Sequence, residues 1–213
     1  VLRLPCNRGM RESINTGVAD SKGEFIMRLD EHCCFANGFD KALTDSCQPN
    51  EIMTARRYFL DPEKWEVMDI PPIDHEKLAI QNVAEGGRKF ASAAWKDRDA
   101  AQADVPISET LAMQGSMWVM PRAWWDQHIG CLQTEGYGPL VQDSVEVSMK
   151  TWLAGGRVML NKTTWYAHKH RDFKRTHYKG TMENPSRPNQ AYAYALGLWE
   201  EYYTTEIIPK WSL

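Results

Sequence analysis

The stretch Gly23-Glu24-Phe25-Ile26-Met27-Arg28-Leu29-Asp30-Glu31-His32-Cys33-Cys34 decides how the chain is read. The run from Phe25 to Leu29 is too short for a core helix and follows the turn signal Ser21-Lys22-Gly23, so its apolar content predicts a buried strand. Asp30 and His32 then stand at the carboxyl end of that strand. Ligands of open α/β sheets bind just beyond such ends, which makes the pair a candidate to hold a divalent metal and a phosphate-bearing substrate. The triplet alone is not specific, because Asp-x-His also describes any strand that runs into a polar loop.

Composition narrows the class. A chain of 213 residues suits a single domain with a substantial core. No window approaches 18 uncharged apolar residues, so no membrane-spanning helix is expected, and Val1-Leu2-Arg3-Leu4-Pro5 lacks the regions of a secretory signal. With 25 Lys and Arg against 28 Asp and Glu, the near-neutral balance argues against binding nucleic acid chiefly through its phosphates, while leaving a locally held nucleic acid open. Five cysteines are odd in number and lack zinc-ligand spacing. A disulfide framework is therefore not expected, though one bridge stays open, and a reducing, cytoplasmic setting is favoured, with a Golgi or secretory lumen as the setting if the sequence is part of a longer protein. Nine Trp and ten Met offer large side chains for a core or for a substrate cleft.

In chain order, Val1-Leu2-Arg3-Leu4 resembles the tail of a strand, Asn7-Arg8-Gly9 is a turn, and a helix is predicted from Met10 to Ala19. With the strand at Phe25 this makes strand, helix, strand, the unit of a parallel sheet. A short helix follows over residues 39–47 and a strand over Ile52 to Tyr58. Ile70-Pro71-Pro72-Ile73-Asp74 is a rigid link. Residues 75–105, polar and alanine-rich with Gly86-Gly87, read as an irregular insertion with some helix. A strand over Ser116 to Met120, entered through Gln114-Gly115, leads into a short helix from Arg122 stopped by Gly130. Ser144 to Ala154 is a helix whose apolar face carries Val145, Met149, Trp152 and Leu153, closed by Gly155-Gly156. Asp143 with Glu146 fits a capping arrangement, and Asp143 is equally a candidate substrate ligand. Strands at Val158–Leu160 and Thr163–Ala167 deliver His168-Lys169-His170-Arg171 to a strand end. The glycine-ended basic run over 168–180 is a candidate lid. A C-terminal amphipathic helix runs from Gln190 to Tyr203.

Together these stretches resemble a family. Gly9, Ser13-Ile14-Asn15-Thr16-Gly17 and the run from Gly23 to Asp30 are similar to the nucleotide-sugar signature of GT-A glycosyltransferases. Asp30-Glu31-His32-Cys33 looks closest to the Asp-x-His-Cys metal motif of the polypeptide N-acetylgalactosaminyltransferases. Val105-Pro106-Ile107 with Thr110 before Gln114-Gly115, Asp143 to Ser148 with Trp152 and Gly155-Gly156-Arg157, and His168 to Arg171 agree with the same subgroup, in the same order, as does Trp199-Glu200-Glu201-Tyr202-Tyr203. The likeness implies a GT-A-type, Rossmann-like α/β fold with a mostly parallel sheet flanked by helices. It also implies an N-terminally truncated or abbreviated chain, since the strands that receive the uridine would precede Val1 and the usual lectin domain has no room.

Carried over position by position, the resemblance implies Mn²⁺ (or Mg²⁺) on Asp30, His32 and His168. It implies a UDP-sugar donor contacted by Asp30, Arg171, Gly9, Asn15 and Gly115, and a hydroxyl acceptor on a protein Ser or Thr, a glycan or a modified nucleic acid. Two imidazoles and a carboxylate suit Mn²⁺, and a metal with a guanidinium neutralises charge on a departing diphosphate. Where the family has donor-binding arginines in the glycine-led helix, Glu12 and Ile14 stand here, and the family's Glu-Asn pair is Asp143-Ser144. Inverting GT-A enzymes commonly carry an Asp as base at the second position, and Ser144, like the family's Asn, lacks that carboxylate, which points to transfer with retention; a base role for Asp143 or Glu146 is the competing assignment. The rival readings are the same fold acting on a glycan or a hydroxymethylated DNA base, as in some phage enzymes, or a non-catalytic sugar- or protein-binding domain.

Overall fold

The computed structural model describes residues 1–82, 87–138, 141–170 and 188–211. In chain order the elements are α1 (Met10–Asp20), β1 (Phe25–Leu29), β2 (Cys33–Phe35), α2 (Phe39–Ser46), β3 (Glu51–Asp61), β4 (Glu66–Val67), β5 (Glu76–Asn82), β6 (Arg88–Ala94), α3 (Lys96–Ala101), β7 (Ile107–Glu109) and β8 (Met117–Pro121). Then come α4 (Arg122–Trp124), which loosens into a π turn over Trp125–Ile129, α5 (Asp143–Leu153), β9 (Arg157–His168), α6 (Pro188–Tyr202), a second π turn over Tyr203–Ile207, and α7 (Ile208–Trp211). Among the described residues no helix is long and apolar enough to cross a membrane.

The main sheet runs in the order β1-β8-β3-β9-β2, with β7 added on β9 and β4 on β3. Its central strands are apolar on both faces, as a sheet covered on two sides requires. Met117, Trp118, Val119 and Met120 are all fully buried, and alternate side chains enter different cores. Trp118, Met120, Ile52 and Val158 meet α1 and α5 on one face, whereas Met117, Val119, Met53 and Met159 meet Leu43 of α2 on the other. The result is three layers, helix on sheet on helix.

A mostly parallel sheet was the expectation, and the pairing differs. Among the described residues only β3 and β9 pair in parallel; β1 with β8, β8 with β3, β2 with β9 and β7 with β9 are antiparallel. The expected strand at Val1–Leu4 is likewise absent. Direction is still preserved where it matters, because β1 and β3 both oppose β8, so β1, β3 and β9 point the same way. Their carboxyl ends therefore share one edge. The two strands expected around Asn161 are one long strand, β9, whose register against β3 jumps between Ala55/Asn161 and Arg56/Trp165. Leu153, expected on the apolar face of α5, is exposed, while Val145, Met149 and Trp152 are buried.

Among the described residues of 75–105, α3 is the expected helix, while two strands stand where irregular chain was expected. β5 and β6 form an antiparallel hairpin in register from Glu76↔Ala94 to Asn82↔Arg88. Alanine and lysine weaken the strand signal there, but Leu78 and Phe90 plug it into the main core and Tyr203 packs on Phe90. The hairpin root is pinned by fully buried His75. Its Nδ1 lies 2.8 Å from Asp99 Oδ1 and its Nε2 lies 2.8 Å from Ser108 Oγ.

Burial lowers the His75 pKa against the opposing pull of Asp99 and Asp74, with Arg98 adding to the lowering. An imidazole whose folded pKa is below its unfolded value contributes fully above the unfolded pKa of about 6.5, and that contribution is lost as pH falls below it. Urea midpoints measured from pH 7.5 to 5 should therefore fall more steeply for the native chain than for His75→Asn. Parallel curves would assign the acid sensitivity elsewhere.

Candidate active site

The carboxyl ends of β1 and β9 bring together groups far apart in the chain. After β1, the Asp30 N–H donates to Ser116 O at 2.9 Å, which extends the pairing with β8 by one residue and holds Asp30 at the sheet edge. β2 then pairs Cys33 with His168, and Lys169 N–H donates to His32 O at 3.1 Å. His32 and His168, 136 positions apart, consequently face each other with Nε2 atoms 2.9 Å apart. Asp30 Oδ2 lies 3.2 Å from His168 Nε2 and 3.8 Å from His32 Nε2.

These separations match a shared cation. Ligands at about 2.1 Å on adjacent octahedral positions stand about 3.0 Å apart. One atom from each of the three residues lies within 4.8 Å of the others. His32 Nδ1 is 3.2 Å from Glu31 Oε1, a contact that favours the tautomer with a free Nε2 lone pair. Burial alone would raise the Asp30 carboxyl, but the hydrogen bond from His168 and the charges of Arg28, His32 and His168 together hold it below the usual carboxylate range. An ionised carboxylate and two imidazoles fit Mn²⁺. Cys33, next in the motif, has its thiol pushed up to about 12, chiefly by burial and by Asp30, so it stays protonated and serves packing.

A cleft of about 280 Å³ opens beside this cluster, with Arg28, Asp30, Gly115, Asp143 and His168 in its wall. Asp143 is the first residue of α5 and nearly buried; the residue before it, Gln142, is left-handed and no side chain caps the helix. The capping reading of Asp143 and Glu146 is thus replaced by something else. Asp143 lines the cleft, and a Cβ on Gly115 would stand 2.9 Å from its Oδ1, so glycine there lets the backbone approach the carboxylate. Glu146 points the other way. It ion-pairs with buried Arg11, lies 2.8 Å from Lys150 Nζ and accepts the Gln133 N–H at 3.1 Å.

The remaining expected donor residues divide. Gly9, with φ 87°, begins α1 next to Met10, which lines the cleft. Asn15 is engaged elsewhere: its amide donates to Leu132 O at 2.8 Å and accepts the Leu132 N–H at 2.7 Å. Glu12 pairs with Arg8 on the surface and Ile14 packs on the core. Arg171 and positions 171–180 of the expected lid lie outside the described residues.

Two groups escaped the sequence reading. Arg28 Nη2 is 3.0 Å from Asp30 Oδ1, and its Nε is 3.8 Å from Asp143 Oδ2. Next to His168, whose ring centre lies 5.0 Å from that of His170, Arg57 Nη1 meets His170 Nε2 at 3.0 Å and its Nη2 donates to Glu76 Oε1 at 3.2 Å, which also accepts Gln114 Nε2 at 2.6 Å. Burial, together with the charges of Arg57, His168 and His32, lowers His170 to about 4, so it is neutral and can accept from Arg57. An arginine inside an apolar strand, as in Phe25-Ile26-Met27-Arg28-Leu29 and Ala55-Arg56-Arg57-Tyr58, was the available signal.

No protein-family model matches the chain, and no curated protein sequence matches it. Among solved structures, the crystal structure of GalNAc-T7 with UDP, GalNAc and Mn²⁺ matches with a TM-score of 0.60 at 17% identity, over 80% of this chain and 32% of that one. The chain has a GT-A-type fold. It spans about a third of the length of GalNAc-T7, and at this identity the likeness concerns architecture. The helix-flanked mixed α/β sheet is the GT-A architecture that the resemblance of the motifs implied.

Proposed function

We propose that the chain is a glycosyltransferase that moves a hexosyl or N-acetylhexosaminyl group from a UDP-sugar to an acceptor hydroxyl, with metal dependence and retention of configuration. The observation that carries the reading is the convergence of Asp30, His32 and His168 at the carboxyl ends of β1 and β9, beside a cleft walled by Asp143. Bound there, Mn²⁺ supplies Lewis-acid neutralisation of charge on the diphosphate leaving group. The chain's own residues do the rest. Asp30 and the two imidazoles orient the site, Gly115 leaves backbone close to the substrate, and Asp143 is available to orient the sugar.

Retention is supported by what the cleft wall carries. Among the described residues of that wall the carboxylates are Asp30, a metal ligand in this reading, and Asp143, which stands beside the hydroxyl of Ser144. A serine hydroxyl is not a base at neutral pH. In a front-face reaction the departing phosphate oxygen accepts the acceptor's proton, so no further base is required.

Calorimetry of UDP and UDP-hexoses, with Mn²⁺ and with EDTA, is the direct test, and binding should require the metal. Slow donor hydrolysis followed by NMR then reads stereochemistry without knowledge of the acceptor: an α-linked donor should first release the α-sugar. Release of the β-anomer would replace retention by inversion and make Asp143 the base.

A further inference from the structure

Among the charged side chains described in the cleft wall, Arg28 is the one that neither the metal nor the resemblance requires. It lies two residues before Asp30, so both side chains leave the same side of β1. Its guanidinium is held between two carboxylates, with Nη2 3.0 Å from Asp30 Oδ1 and Nε 3.8 Å from Asp143 Oδ2. Two groups in this arrangement lack partners among the described residues. They are Arg28 Nη1 and Asp143 Oδ2, both buried, the latter on a side chain only 6% exposed. A buried donor and a buried acceptor left unsatisfied on two neighbouring ion-paired residues are each costly, and both residues belong to the cleft wall.

Charge decides what they take. Arg28 is already matched by carboxylates, so Arg28 and Asp143 form a pair with no net charge once Asp30 serves the cation. Such a pair has nothing to offer a phosphate beyond what the metal offers better. A neutral polyol is different, because each hydroxyl both donates and accepts and needs the two kinds of partner together.

We propose that Arg28 is a specificity-determining residue that, with Asp143, binds adjacent free hydroxyls of the donor hexose and not its diphosphate. The inference rests on the UDP-sugar reading of the site and names the part of the donor that this pair reads. Arg28 Nη1 donates to one hydroxyl, and Asp143 Oδ2 accepts from the same hydroxyl or its neighbour. The planar guanidinium makes this a geometric recognition that an ammonium cannot reproduce.

The test separates sugar from nucleotide. Affinities for UDP and for UDP-glucose and UDP-galactose are measured by calorimetry with Mn²⁺ on the native chain, Arg28→Met and Arg28→Lys, with circular dichroism melts as a check on folding. Loss of charged hydrogen bonds should weaken the preferred UDP-hexose at least about tenfold in Arg28→Met, with UDP alone changed less than about threefold. Monodeoxy donors should lose a similar factor on the native chain at one ring position and little on the variant. If Arg28→Met fails to fold, Arg28→Lys, which keeps the charge between the carboxylates, carries the same comparison. Equal losses for UDP and UDP-hexose would make Arg28 a phosphate or metal group and overturn the inference. So would a native chain that binds UDP and both UDP-hexoses equally, which leaves the proposed function standing. A native chain that binds neither UDP nor a UDP-hexose overturns the proposed function itself, and the Arg28 assignment with it.

Discussion

Asp30→Ala is expected to abolish Mn²⁺ binding and to lower sugar transfer by at least about a thousandfold, the scale of losing several kcal/mol of charge stabilisation at a leaving group. Asp30 brings the one carboxylate among the three described residues of the cluster, beside the two imidazoles of His32 and His168. His32→Ala and His168→Ala should each give losses of similar kind, although one residue follows β1 and the other ends β9. A second readout needs no activity. Saturating a native-only site at a hundred times its Kd stabilises by about 2.7 kcal/mol, so Mn²⁺ should raise the melting temperature of the native chain and leave that of Asp30→Ala unchanged. An equal rise in both would move the ion elsewhere.

What was legible follows from how local the physics is. β1 and the site residues at its end are read directly from an apolar run cut off by Asp30 and His32, because burial and turn chemistry there act over a few residues. α1 and α5 are legible for the same reason, with ends one residue from expectation. Strand direction is not local. Nothing in Met117-Trp118-Val119-Met120 says that it runs against β1 and β3, since a strand buried on both faces has the same composition in either sense. The β5–β6 hairpin was hidden because its stability comes from docking Leu78 and Phe90 on the core more than from its own alanine-rich pattern. The roles of Arg28 and Arg57 depend on partners far along the chain, Asp143 for one and His170 for the other, which only the folded sheet edge supplies.

Glu146→Ala should destabilise the chain by about 3–5 kcal/mol, the cost of leaving a buried cation without its partner. Arg11 and Glu146 are both essentially inaccessible, and Arg11 is bound on every side. Its Nε donates to Gln133 O at 2.6 Å, its Nη1 to Val141 O at 2.8 Å, and its guanidinium lies 4.1 Å from the centre of the Tyr137 ring. Burial lowers the Arg11 pKa against the opposing charges of Asp143 and Tyr137, and Glu146 is the carboxylate in direct contact with the guanidinium. The same carboxylate holds the Gln133 N–H and Lys150, which ties the loop before α5 to the helix itself. Replacing both partners, as in Arg11→Met with Glu146→Leu, should cost clearly less than Glu146→Ala alone, because no orphaned charge remains. Asp143→Asn makes the opposite pattern. It changes an oxygen that has no hydrogen-bond partner among the described residues, so its unfolding free energy should stay within about 1 kcal/mol of native while donor binding and transfer fall. Two carboxylates within one turn of α5 thus separate by assay, Glu146 in urea and Asp143 in turnover. A stable Glu146→Ala with a bell-shaped pH profile missing its acidic limb would reverse that division and return Glu146 to the role of general base.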